Sequence, residues 1–211
     1  SSRNQEGVNM SFFDYFKKTE PKDVLRDLCQ RLVISTLKYR ATINDSNNLK
    51  SSNAAAELLF LLLHLVDISM FALLSQQKRD FYFNYLTLET IRDYFAACLK
   101  QETPDDIKSA IFNELLERFN SRQLTYSKCK SLMGDEFPWP GSKLFAFSFF
   151  VMRELDGKSR VKFEEILAGD TKMSESNRKD FPSFETVLEN TVFILSYVKA
   201  IDIERYIRKL R

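Results

Sequence analysis

Three side chains capable of metal or proton chemistry, Glu57, His64 and Asp67, lie inside the apolar run AAAELLFLLLHLVDISMFALLS between Ala54 and Ser75. His64 is the single histidine of the chain. At helical pitch the three positions fall within roughly 80° of one another, so they form one narrow polar stripe on a mostly apolar helix. An imidazole flanked by carboxylates on one face is a set that can bind a transition metal or shuttle a proton, and histidine has the ordinary pKa nearest neutrality. The same stripe also reads as a structural seam, in which each group is satisfied by a neighbour as buried polar groups ordinarily are. The sequence leaves both readings open.

Residue counts narrow the chemistry. One histidine cannot supply the paired Glu-x-x-His elements of a di-iron bundle, nor a three-histidine zinc site. Cys29, Cys98 and Cys129 are odd in number and contain no C-x-x-C, which argues against a disulfide framework or a structural zinc and for a reducing, cytoplasmic setting. The five glycines, Gly7, Gly134, Gly141, Gly157 and Gly169, never group into G-x-G-x-x-G or a P-loop, and there is no G-x-S-x-G elbow. No cofactor and no metal are expected, and enzymology is disfavoured. Trp139, between Pro138 and Pro140, is a further candidate ligand contact; the plainer alternative is that it folds back to plug the end of a bundle.

The segment from Glu154 to Glu165 resembles the back half of an EF-hand calcium loop, with Phe163 preceding the late glutamates Glu164 and Glu165 and an Asp156-Gly157 turn before them. Lys158 stands where an oxygen ligand belongs, and Ser159 replaces the glycine of the sharp turn. The expectation is a helix–turn–helix without calcium.

The elements that must position these groups are helical. A chain of 211 residues with 44% hydrophobic and 28% charged residues can bury a large core, and five glycines and five prolines are too few for the turns of an all-β fold. The periodicity predicts helices over 21–40, 49–75, 78–100, 103–120, 161–168 and from Ser183 towards the C-terminus. Phe81, Tyr85, Leu88, Ile91, Phe95, Cys98 and Leu99 are placed on the inner face of the third. The fourth opens with Thr103 as cap, Pro104 at the first position and Asp105 and Asp106 in the first turn. Leu144 to Met152 reads as a buried helix in this context, although its alternating phenylalanines also fit a strand. The fold class expected is all-α, a single-domain bundle of about seven or eight helices around the central helix 54–75. Residues 1–9 are expected to be disordered or an appended remnant, with one helical domain over 10–211.

Partner classes follow from charge and faces. The formal net charge of +2, from 31 basic and 29 acidic residues, disfavours nucleic acid as a partner. Insertion of 54–75 into a membrane is disfavoured by Glu57, His64 and Asp67. In the last helix, Phe184, Val187, Leu188, Thr191, Leu195 and Val198 are assigned to the core, leaving Phe193, Tyr197, Ala200 and Ile207 on the opposite side. A helix apolar on both sides is either sandwiched in its own domain or shared with a neighbour. The functional expectation is therefore a non-enzymatic interaction or accessory protein, acting on a protein partner or on itself as a homodimer through Phe193 and Tyr197. The alternative is a ligand- or metal-binding, or catalytic, bundle centred on Glu57, His64 and Asp67.

Overall fold

The computed structural model describes residues 20–43, 47–132, 141–156, 163 and 180–211. Trp139, the predicted helix 161–168 apart from Phe163, most of the EF-hand-like segment and residues 1–9 lie outside the described residues. The described chain is helical, with no strand and a lone bridge between Ser131 and Ser142. In order the helices are α1 (Pro21–Thr42), α2 (Asn48–Leu73), α3 (Gln76–Cys98), α4 (Asp105–Lys128), α5 (Lys143–Asp156), α6 (Phe184–Ile201) and the six-residue α7 (Ile203–Arg208).

The expected all-α bundle with a buried central helix is what the chain forms. Helix α2 packs against α1, α3, α4, α5 and α7, and every residue from Ala54 to His64 is buried. Such a run tolerates burial all round because small Ala54, Ala55 and Ala56 admit close neighbours while five leucines fill the wider gaps. Each fully buried leucine or phenylalanine contributes about 1.5–3 kcal/mol relative to exposure. The helix starts at Asn47, whose side-chain oxygen accepts from the backbone N–H of Leu49 at 3.0 Å and of Lys50 at 3.2 Å. Its last turns emerge, with Ile68 and Phe71 exposed.

Residues 143–156 are helical, as preferred over a strand, and Lys143 to Val151 are all buried. Gly141 precedes this helix at φ 101°, a left-handed conformation that favours glycine. Ser183 caps α6 as predicted, accepting from the Thr186 N–H at 3.1 Å.

Several boundaries and faces differ from expectation. Helix α4 begins one residue later than the capping pattern suggests, with Pro104 itself at the N-cap and no side-chain cap bond. It also continues to Lys128 rather than stopping near Asn120, because its second half is held by the partners described below. On α3 the buried face is Leu86, Thr87, Thr90, Ile91 and Tyr94, whereas Phe81 and Leu88 are exposed. The C-terminal helix is not continuous: Asp202 adopts a left-handed φ of 54° and divides α6 from α7.

The inward face of α6 is rotated from the predicted one. Val187, Asn190, Thr191, Ile194 and Ile201 are buried, while Phe184, Leu188 and Leu195 are exposed. The cause is Asn190, a polar residue left out of the apolar pattern. It accepts from the Tyr39 hydroxyl at 3.2 Å and donates to Ser148 Oγ at 3.2 Å, so it is satisfied inside the core and draws its side of the helix inward.

Candidate functional site

The polar stripe of α2 meets two different helices. Glu57 is fully buried and receives three N–H groups from α4: Arg118 Nη2 at 2.9 Å, Arg122 Nε at 2.8 Å and Arg122 Nη2 at 3.0 Å. Arg118 also reaches Glu154 of α5 at 3.0 Å, so two guanidinium groups face two carboxylates where α2, α4 and α5 meet. Arg122 lies with its guanidinium carbon 3.6 Å from the Phe150 ring centroid, which gives the cation a stacked aromatic face as well as an anion. Burial alone would lower the Arg122 pKa, but the Glu57 carboxylate outweighs it and the value is raised. Burial raises the Glu154 carboxyl, with Glu57 adding to the effect and Arg118 opposing it.

About two turns further along α2, His64 Nδ1 is 2.9 Å from Gln123 Oε1. Gln123 donates its amide N–H to the Phe60 carbonyl at 3.0 Å, so its oxygen is the acceptor and Nδ1 carries the proton. Nε2 is then the lone-pair nitrogen, buried and without a hydrogen-bond partner among the described residues. The Tyr126 ring lies against the imidazole, with ring centroids 5.5 Å apart, and its hydroxyl is likewise buried without a described partner. Burial holds the imidazole pKa below its usual value, Lys143 lowers it further, and Gln123 and Asp67 oppose the shift. Lys143 is itself buried, donates from Nζ to the Cys129 carbonyl at 2.7 Å, and has its pKa lowered by burial.

Asp67 belongs to a separate contact. Arg79 of α3 holds both its oxygens, Nε to Oδ1 and Nη2 to Oδ2, each at 2.8 Å. The three stripe residues thus share a face without converging. At 1.5 Å rise per residue, Glu57 and His64 are about 10 Å apart along the axis, too far for one ion held by bonds of about 2 Å. Among the described residues there is no group of three His, Cys, Asp or Glu side chains that could hold a metal.

The residues that sequence reasoning missed are Arg79, Arg118, Arg122 and Gln123. The fourth helix was expected to end before Arg122, at Asn120. The signal available was the Arg118–Arg122 pair at i, i+4 opposite a carboxylate on an apolar helix.

Two clefts lie elsewhere. One, of about 400 Å³, opens between the ends of α1 and α5 and the start of α6, lined by Tyr39, Ile43, Val151, Leu155, Asn190 and Phe193 among others. The second, of about 210 Å³, is lined in part by Ser52, Tyr94, Phe95, Cys98 and Leu115. Neither includes Glu57, His64 or Asp67. Compared with known proteins, the chain matches no family model, no curated protein and no solved structure.

Proposed function

We propose that this chain is a non-enzymatic helical interaction or accessory protein that presents the outer side of α6 to a protein partner. The observation that carries the reading is an outward row on α6, Leu188, Val192 and Leu195, with Val192 63% exposed. A row of aliphatic side chains on a rigid helix is a groove-docking element of the kind partner helices use. Phe193, 41% exposed at the rim of the larger cleft, and Tyr197, half-buried against the core, flank this row. Three free cysteines accord with a reducing, cytoplasmic setting.

The test is a photo-crosslinking amino acid placed at Val192, with the exposed Leu124 of α4 as control. Adducts formed in cells from position 192 and not from 124 are the expected result. Absence of any adduct at 192 overturns the reading.

A second reading, a ligand-binding or catalytic bundle, draws on two buried polar atoms without a hydrogen-bond partner among the described residues, His64 Nε2 and the Tyr126 hydroxyl, on rings whose centroids are 5.5 Å apart. It requires a small polar ligand to reach both atoms. Perturbation of the His64 imidazole NMR signals by a small-molecule library, lost in Tyr126→Phe, would favour it over the interaction reading.

A further inference from the structure

We propose that the partner of α6 is a second copy of this chain, docked antiparallel about a two-fold axis at Val192; this rests on the interaction reading above. Glu185, Leu188, Val192, Leu195 and Lys199 recur at alternating spacings of three and four, the a/d repeat of a coiled-coil seam. At 100° per residue they fall within about 80° of one another. All five are exposed, Leu188 at 41% and Leu195 at 37%, while Val187, Thr191, Ile194 and Ile201 on the neighbouring face are buried in the protein's own core.

Charge order selects both the occupant and its direction. The acid at 185 and the base at 199 lie equally far from Val192 on either side. A two-fold axis through Val192 with the helices antiparallel brings each Glu185 to the Lys199 of the other copy, so the pairing is made twice. It also sets the two helix dipoles in opposition, which is favourable. A parallel pairing would place Glu185 against Glu185 and Lys199 against Lys199. The exposed Glu189, just outside the seam, falls level with Leu195 and Ser196 of the other copy and not with another carboxylate. Three apolar side chains per copy make a small contact, so the dimer is weak and concentration-dependent.

Sedimentation equilibrium of the full chain at low ionic strength, carried up to millimolar protein, tests this. A reversible dimer is expected. Val192→Glu should be monomeric with an unchanged thermal melt, since that position is exposed. Glu185→Lys and Lys199→Glu should each weaken association by about tenfold, by turning two attractive pairs into two repulsive ones. The double variant Glu185→Lys, Lys199→Glu should restore it, whereas in a parallel dimer every one of these variants keeps two like-charge pairs and none should change association. In a Cys98→Ser background, Val192→Cys should give a disulfide-linked dimer on mild oxidation, and Leu124→Cys should not. A wild-type monomer throughout, a dimer indifferent to Val192→Glu, or a double variant no tighter than the single ones overturns the proposal. Crosslinks from position 192 to a different protein, with no self-association, would sink the dimer and leave the interaction reading standing.

Discussion

Arg122 holds Glu57 through two N–H···O bonds, Nε to Oε2 at 2.8 Å and Nη2 to Oε1 at 3.0 Å, at a point where the carboxylate has no exposure to solvent. With Arg118 and Glu154 the set is balanced, two cations against two anions. Taking charges out of water costs several kcal/mol per ion, so such a cluster does more to fix the register of α2, α4 and α5 than to add net stability.

The asymmetry is measurable. Glu57→Gln leaves two guanidinium groups facing one carboxylate and should destabilise the fold by about 3–5 kcal/mol, read from urea unfolding. Replacing Glu57, Arg118 and Arg122 with leucine or methionine, together with Glu154→Gln, should recover most of that loss. Asp67→Asn, at a pair whose side chains are 20% and 24% exposed, should cost no more than about 1 kcal/mol. Equal losses for Glu57→Gln and Asp67→Asn would show that the buried cluster holds nothing together.

His64 gives the second prediction, in pH. Its pKa is lowered in the folded chain from the ordinary 6.5, first by burial and then by Lys143. The unfolded chain therefore binds a proton that the folded one resists. Stability is full above about pH 6.5 and falls as the pH drops from there towards the folded pKa. Glu154, raised by burial, acts with the opposite sign above the ordinary carboxylate range, its contribution being lost as pH rises through the folded value. The His64 contribution is therefore read as a difference: the wild type should lose more stability between pH 7.5 and 5.5 than His64→Gln does. At neutral pH that variant should shift stability by about 1–2 kcal/mol through the altered bond to Gln123. Stoichiometric metal in the purified protein that disappears in His64→Gln would overturn the structural account of this residue.

What the sequence made legible was periodicity, and what it hid was partnership. The run from Ala54 to Leu63 announces a central helix because no polar residue but Glu57 interrupts it, and the burial follows. The stripe of Glu57, His64 and Asp67 was legible as a face, since angle depends only on spacing. Its failure to converge follows from axial rise, and the division of partners, Arg118, Arg122 and Gln123 for Glu57 and His64 but Arg79 for Asp67, is a tertiary fact. Asn120 and Ser121 read as a helix end by propensity, yet Arg122 and Tyr126 beyond them are held by α2 and α5, so tertiary contacts override the local preference. Asn190 misled in the same way: a lone polar residue is assigned outward by pattern, and only Tyr39 and Ser148 make it an inward one.

The cysteines supply the last prediction, because their environments differ sharply. Burial pushes the Cys29 and Cys129 thiols up to about 11. The thiolate is the reactive form, so at pH 8 only about one part in a thousand of either is poised to react. Both are also shielded by their helices and require a local opening before a reagent can reach them. Cys98 is half-buried at the edge of the smaller cleft, with Arg40 Nη1 directed at its sulfur from 3.9 Å. In the folded protein an aromatic disulfide reagent should therefore titrate one thiol rapidly and two slowly. Cys98→Ser should abolish the fast phase alone, and denaturant should merge all three into one fast phase. A fast phase that survives Cys98→Ser would mean that the seam around Cys29 or Cys129 opens far more readily than its packing against Thr90, Asp93 and Lys143 allows.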